Sequence, residues 1–272
     1  MFRIRRIYDD SLTIDREAIA QVQRILREQF SGLDESDILR LPKELKNPMK
    51  YRFRTILFVA EGSRGTVKGF ATLQHAADLE FCFLDFISAG PKKTGGGIGG
   101  ALYDRIREES LFLNARGIFY ECLPDDPALC RDRSFLKENQ ARLRFYERYG
   151  AYPIINTRYE TPLKPEYDCP PYLVFDSLGK EGGLPLEPAQ KITRAILERK
   201  YGKRCPPGYI DMVVDSFRDD PVKLRPPRFI KKEIRTAVRY TFPVEQRIAL
   251  VVNDRHDIHP VSYTHLRAHE TV

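Results

Sequence analysis

The feature that most constrains this chain is a cluster of five glycines within six residues, Gly95-Gly96-Gly97-Ile98-Gly99-Gly100. It follows a strand-like run over 79–89 and precedes an amphipathic helical pattern that extends to about residue 114. Ordering so many glycines costs conformational entropy, and this cost is expected only where the backbone has to come close to a ligand. The free N–H groups at the start of a helix bind anions. We therefore expect a phosphate-bearing ligand at this turn.

Two common phosphate loops do not fit the cluster. A nucleotide-triphosphatase loop ends in Gly-Lys-Ser/Thr, whereas Ala101 and Leu102 follow Gly100 here. The spacing Gly95-x-Gly97-x-x-Gly100 matches a dinucleotide fingerprint, and Glu121 lies at a suitable distance for a ribose contact. That fingerprint requires a strand that runs directly into the first glycine, inside the first βα unit. Here residues 90–94 separate the strand from the first glycine, and three strand-like runs precede the cluster. The structural context that the dinucleotide fingerprint requires is therefore missing.

Hydrophobic periodicity predicts a mixed α/β domain of the α+β type over residues 1–180. The patterns follow the order β-α-α-β-β-β-α-β-α-β-β, in which 55–60 and 67–74 form an antiparallel hairpin around Gly62-Ser-Arg-Gly65. A Gly/Pro-rich stretch then begins a helical, Pro-rich linker or extension over 181–240. The apolar run at 247–252 predicts the first strand of a truncated second domain over 241–261, and 262–272 resembles a non-native tail.

Composition excludes several classes of protein. Lys+Arg exceed Asp+Glu by 45 − 38 = 7 over 272 residues, but the charge forms no long basic block, so we expect no nucleic-acid partner. No apolar run approaches the roughly 18 residues of a membrane helix, so we expect no membrane partner. The five cysteines are far apart and form no Cys-x-x-Cys pair. This pattern predicts no disulfide framework, no zinc site and a cytoplasmic location.

The residues around the glycine cluster resemble the acyl-CoA-binding core of the GNAT superfamily of N-acyltransferases. The resemblance is carried by Leu84-Asp-Phe-Ile-Ser-Ala-Gly-Pro91, by Thr94-Gly-Gly-Gly-Ile-Gly99 and by the helix from Ala101. Thr94 stands where the family has Arg or Gln. This difference affects one side-chain contact and leaves in place the cradle of backbone N–H groups that binds the diphosphate in the family. A second match, covering Asn139, Phe145, Tyr146, Tyr149 and Gly150, is similar to the Asn…Tyr…Gly helix of the family. Together the motifs cover roughly residues 1–160.

This resemblance implies a GNAT fold, with a mixed, mostly antiparallel sheet flanked by helices. It also implies acetyl-CoA as co-substrate, no metal, and transfer of the acetyl group to a primary amine of a small molecule or a protein. The implied cofactor contacts are Ile87, Ser88, Ala89, Thr94, Gly95, Gly96, Gly97, Ile98, Gly99, Gly100 and Asn139.

Direct attack by an amine needs a base for its proton and an acid for the departing thiolate. Glu121 is our candidate base, because it is a lone carboxylate in an apolar strand and resembles the fifth-strand glutamate of N-terminal-amine acetyltransferases. Asp85 is the alternative base, and Glu121 then only forms a salt bridge. Tyr146 is the candidate acid, with a purely structural role as its alternative. Cys122 points to the opposite strand face from Glu121 and has no histidine to activate it, which argues against an acyl-enzyme.

Three further interpretations concern the regions around this core. The loop after residue 123 is long, and its Asp125 and Asp126 are candidates for attracting a cationic acceptor. A sensor that binds acyl-CoA without turnover is the alternative function. Residues 248–260 resemble the opening strand of the deacetylase-like domains that follow a GNAT domain in some bacterial fusion proteins, while His256 and His259 alone do not predict a metal site.

Overall fold

The computed structural model describes residues 2–30, 32–89, 97–130, 132–164 and 168–230. The strands are β1 (Arg3–Ile7), β2 (Arg54–Glu61), β3 (Val67–Ala76), β4 (Phe81–Ser88), β5 (Ile118–Cys122), β6 (Ala151–Pro153) and β7 (Tyr172–Asp176). The helices are α1 (Thr13–Gln29), α2 (Glu35–Lys46), α3 (Ile98–Phe112), α4 (Leu136–Glu147), α5 (Leu186–Ile196) and α6 (Tyr209–Val214). The order of elements up to β7 is the predicted one.

All seven strands form one sheet in the order β1-β2-β3-β4-β5-β7-β6. Every neighbouring pair is antiparallel except β4 and β5, which are parallel and connected through α3. The predicted fold class, a mixed and mostly antiparallel sheet flanked by helices, is therefore confirmed.

Alternation along the strands divides the sheet into two apolar faces. In β5, Tyr120 and Cys122 belong to the cluster that packs on α3 and α4, whereas Phe119 belongs to a cluster with α5 and α6 on the other face. Helices α1 and α2 cover the first strands on that second face, through residues such as Val22 and Leu41. Helices α3 and α4 thus pack on one face of the sheet and α5 and α6 on the other, so alternation along β4 and β5 determines which face each side chain reaches.

Residues 181–230, predicted as a linker or extension, pack closely against the sheet. Ile192 and Ile196 of α5, together with Phe217, share one buried cluster with Phe119 and Phe175. A π-helical segment, Leu197–Tyr201, continues α5. The predicted second domain at 241–261 and the tail at 262–272 lie outside the described residues.

The sequence predicted no disulfide framework, but one pair of cysteines is bonded in the structure. Cys130 and Cys169 are bonded across a separation of 39 residues, with their Cα atoms 4.4 Å apart. The loop after β5 and the segment before β7 meet because these two strands are antiparallel neighbours, a pairing that cysteine spacing does not reveal. Within the described part of the chain, no helix has the length and apolar character needed to cross a bilayer.

Candidate active site

The two parallel strands separate after only two paired positions. Cys82 pairs with Ile118 and Phe83 with Phe119, and beyond these pairs β4 continues to Ser88 and β5 to Cys122 without mutual pairing. We call the space between 84–88 and 120–122 the β4/β5 gap. Backbone N–H and C=O groups need partners, so a strand edge that opens in this way is suited to pairing with an extended ligand.

A bulge in β4 determines which side chains border the gap. Thr72 of β3 pairs with Phe86 and Leu73 pairs with Leu84, which leaves Asp85 as an extra residue. The Thr72 hydroxyl accepts a 3.1 Å hydrogen bond from the Phe86 N–H group. Bulges re-aim side chains and are common beside active sites.

The two carboxylates predicted as alternative bases lie together on the α5/α6 face. Phe83 and Phe119 form the last strand pair, and Asp85 and Glu121 each follow two residues later, on opposite sides of the gap. Both are buried, at 8% and 2% exposure. The two candidate bases thus share one face of the sheet beside the gap, and their catalytic role stays a prediction.

Each carboxylate has partners that the sequence did not predict. Glu121 accepts a 2.8 Å hydrogen bond from the Tyr159 hydroxyl and another from the Tyr201 hydroxyl. Asp85 forms an ion pair with the Lys200 ammonium and accepts a 3.3 Å hydrogen bond from Gln74 Nε2. Lys200 and Tyr201 are consecutive residues of the π-helical segment.

Tyr146 lies on the other side of the sheet, within the α3/α4 cluster. Its ring centroid is 4.4 Å from that of Tyr120 and 5.1 Å from that of Tyr103. Burial raises the pKa of Tyr146 well above its usual value, so its hydroxyl keeps its proton at neutral pH.

Cys122 shares this face, as predicted, and burial raises the pKa of its thiol to about 12. At pH 7 the thiolate fraction is then about one in 10⁵. So small a fraction argues against Cys122 as a nucleophile, because the thiolate is the reactive form.

The helix that follows the glycine cluster begins without a side-chain cap. Gly97 is the N-cap residue, with a left-handed φ of 68°, and the first turn of α3 contains no acidic residue. The Ala101 N–H group bonds to the Gly97 carbonyl at 2.9 Å, so the N–H groups of residues 98–100 precede the helical hydrogen-bond ladder. Thr94, Gly95 and Gly96 lie outside the described residues.

A glycine that the sequence analysis missed brings the start of α3 against β4. A Cβ atom on Gly69 of β3 would lie 2.6 Å from the Ser88 carbonyl oxygen, 2.8 Å from Ile98 Cγ2 and 3.1 Å from Ala89 Cα. Gly69 therefore permits the close approach of the end of β4 and the first turn of α3, the two parts of the predicted cradle.

The other predicted cofactor contacts lie around the same opening. Ile87 packs against the α3/α4 cluster with Ala89, while the Ser88 hydroxyl donates a hydrogen bond to Gln29 on the opposite face. Asn139 is buried on α4, and its Nδ2 donates a 2.9 Å hydrogen bond to the Pro124 carbonyl. Asn139 thus holds the loop that leaves β5, and its contact to a cofactor arm stays a prediction.

A cavity of about 470 Å³ opens on the carboxylate side of the sheet. Its lining comes from α1, α2, β2–β4 and the π-helical segment with the nearby Arg204. It includes Glu44, Arg52, Asp85, Phe86 and Lys200. This volume is within the usual range for small-molecule sites. The cavity therefore leads toward Asp85 from the side opposite α3.

The expectation that Asp125 attracts a cationic acceptor is wrong. Asp125 is buried and bonds to Arg225 at 2.7 Å, with Arg228 at 3.5 Å. These two cations from the C-terminal segment neutralise the carboxylate, a long-range pairing that the polar appearance of the loop could not indicate. Among the described residues, no group of three or more His, Cys, Asp or Glu side chains is arranged to hold a metal ion.

No protein-family model matches this chain, and no curated protein matches it either. A candidate acetyltransferase of the GNAT family from Desulfovibrio desulfuricans is similar in structure, with a TM-score of 0.43 and 16% identity, covering 64% of this chain and 96% of its own. The catalytic domain of a Tetrahymena histone acetyltransferase in complex with coenzyme A has a TM-score of 0.45 and 10% identity, covering 67% and 96%. The aminoglycoside 6'-N-acetyltransferase of Enterococcus faecium has a TM-score of 0.45 and 15% identity, covering 66% and 99%. With all three TM-scores below 0.5, these likenesses are loose, and they give no support to a fused deacetylase-like domain.

Proposed function

We propose that this chain is an N-acyltransferase of the GNAT type that moves an acetyl group from acetyl-CoA directly to a primary amine. One observation carries the proposal: the β4/β5 gap has two carboxylates on one face of the sheet, and on the other face the buried Tyr146 packs on Tyr120 of β5. An acyl donor and an amine that meet in such a gap have a proton acceptor on the side of the amine and a proton donor on the side of the leaving group.

The geometry around the gap suits coenzyme A. The pantetheine arm is extended and carries amides, so it pairs with the open edge of β4 at 87–89 as an added strand does. Its diphosphate then lies at the uncapped start of α3, where N–H groups and the helix dipole favour negative charge. The match of this region to the family loop supports the same placement.

The chemistry assigns a task to each face. An alkylamine with a pKa near 10.4 is neutral in only about one molecule in 10³ at pH 7, which costs roughly 4–5 kcal/mol. Asp85 or Glu121 accepts the proton, the amine nitrogen bonds to the carbonyl carbon, and the C–S bond breaks. Tyr146 protonates the departing thiolate from the opposite face, and the second proton lost by the nitrogen restores the tyrosine.

Contacts favour Asp85 as the carboxylate that meets the amine. Asp85 lines the cavity on the acceptor side, whereas two tyrosine hydroxyls cover Glu121. In this assignment Glu121 orients Tyr159 and Tyr201 at the edge of the gap. The sequence pattern alone favoured Glu121, and the Asp85→Asn variant below tests the assignment to Asp85.

The proposal is tested by binding and turnover measured on the same preparations. Calorimetry with CoA and with acetyl-CoA reports binding, and release of free CoA thiol over a panel of amines reports transfer. We expect Asp85→Asn to lower turnover by about 10²-fold or more with an unchanged affinity for acetyl-CoA. Glu80→Gln is the matched control, since Glu80 is exposed before β4 and pairs with Arg116. A protein that fails to bind either ligand would refute the proposal.

A sensor that binds acyl-CoA without turnover is the second candidate, and one observation favours it. Lys200 and Tyr201 of the chain itself already contact the two carboxylates. Tight binding of acetyl-CoA with no thiol release from any amine would identify the sensor.

A further inference from the structure

The lysine at the gap has the surroundings of a bound substrate amine. Lys200 Nζ forms an ion pair with Asp85 and lies 4.9 Å from the ring centroid of Phe83 and 5.7 Å from that of Phe86. A carboxylate combined with aromatic faces is a typical recognition site for an alkylammonium group. The Lys200 side chain is only 5% exposed.

The chain holds this amine in place from both sides. Arg199 bonds to Asp78 and donates a 3.0 Å hydrogen bond to the Arg52 carbonyl, while the next residue, Tyr201, bonds to Glu121. Leu197 of the same segment is fully buried in the α5/α6 cluster. An amine tethered in this way competes with free amines at a high effective concentration.

We propose that Lys200 is a site of intramolecular acetylation, carried out by the protein on itself. The inference rests on the proposed function, because the acetyl donor is acetyl-CoA in the β4/β5 gap. It goes beyond that function in naming an acceptor, the ε-amine of the chain's own C-terminal segment.

The reaction balances with groups already described. Asp85 takes one proton from the Lys200 ammonium, and the freed lone pair on Nζ forms a bond to the acetyl carbonyl carbon. The C–S bond then breaks, and the electron pair leaves with the CoA sulfur. Tyr146 protonates that thiolate and is restored by the second proton that the nitrogen loses, which gives acetyl-lysine and CoA thiol.

Acetylation would also change the site itself. The product amide has no positive charge, so the ion pair with Asp85 is lost. A cationic acceptor that enters through the cavity then meets a carboxylate without a competing ammonium. The modification thus removes the cation that competes with free amines for Asp85.

The test follows acetyl groups on the full chain. Wild type, Lys200→Arg, Asp85→Asn and the control Lys191→Arg are incubated with acetyl-CoA at neutral pH, and intact mass and peptide mapping are recorded over time. Lys191 is exposed on α5 and pairs with Glu187, so its labelling in the wild type reports chemical acetylation of surface amines. We expect one acetyl group per chain on Lys200, at a rate unchanged by tenfold dilution of the protein. Lys200→Arg should remove that group, Lys191→Arg should retain it, and Asp85→Asn should slow its formation at least about tenfold.

Three results would overturn the inference: an unmodified Lys200 in protein that binds acetyl-CoA, equal labelling of Lys200 and Lys191, or a rate that rises with protein concentration. Because Lys200→Arg keeps the cation beside Asp85, a loss of labelling in that variant does not reflect a lost ion pair. Calorimetry on the same samples separates the two proposals. Failure to bind CoA removes the proposed function, whereas binding and amine turnover with an unlabelled Lys200 removes only this inference.

Discussion

Gly69→Ala is the substitution that tests most directly how the cofactor cradle is built. The added Cβ would lie 2.6 Å from the Ser88 carbonyl oxygen, where ordinary contact begins at 3.4 Å, so the backbone has to move by about 0.8 Å. The Ile98 Cγ2 atom, which would lie 2.8 Å from the added Cβ, has to move away by about 0.6 Å. Both displacements fall on the end of β4 and the first turn of α3, which in the proposed function hold coenzyme A.

We expect Gly69→Ala to lower the free energy of unfolding by about 1–3 kcal/mol, the usual cost of overpacking. Because the cradle carries the displacement, the affinity for CoA should fall about tenfold, equivalent to about 1.4 kcal/mol. Urea unfolding and calorimetric titration with CoA measure the two effects on one preparation.

Gly62→Ala is the matched control for this experiment. The atoms nearest to its Cβ would be those at the flexible end of the Lys68 side chain, which can move aside. We expect unfolding and CoA affinity close to those of the wild type. If Gly69→Ala bound CoA as tightly as the wild type, or if both variants behaved alike, the packing argument for the cradle would be refuted.

Three more predictions address the acid, the disulfide and a buried ion pair. Tyr146→Phe should lower turnover about 10²-fold with little change in CoA affinity, and unchanged thiol release would remove Tyr146 from the mechanism. Denatured protein kept under non-reducing conditions should show three titratable thiols because Cys130 and Cys169 are bonded, and a count of five would contradict that bond. The hydrogen bond from Arg5 lowers the pKa of Glu61 below 4.5, so this carboxylate stabilises the fold above that pH and loses its contribution as the pH falls. Glu61→Gln should therefore be less stable than wild type by about 1–3 kcal/mol at pH 7 and nearly equal in strong acid, whereas a gap independent of pH would contradict this pairing.

Local patterns were sufficient to predict the elements and part of the site. Strand alternation correctly placed Glu121 and Cys122 on opposite faces, since the side-chain period of a strand is two. The bulge at Asp85 breaks that period and depends on pairing with Thr72, so alternation alone could not place Phe86.

Contacts between distant parts of the chain could not be predicted. Lys200 reaches Asp85 over 115 residues, and Tyr201 reaches Glu121 over 80. Periodicity correctly predicted a helical segment there, but it carries no information about which strand that segment packs against. The same reason explains the wrong expectation for Asp125, whose partner Arg225 is 100 residues away.

Because α5 and α6 cover β5 and β7, truncating the protein before α5 would expose part of the core. Motif similarity ends near residue 160, so the Gly/Pro-rich stretch near residue 180 looks like a natural position at which to truncate the protein. A fragment that ends there would expose Phe119, Leu173 and Phe175 to solvent. It would also lack the Tyr201 hydroxyl that donates a hydrogen bond to Glu121. Such a fragment should aggregate on expression, so a usable unit has to include α5, the π-helical segment, α6 and Phe217.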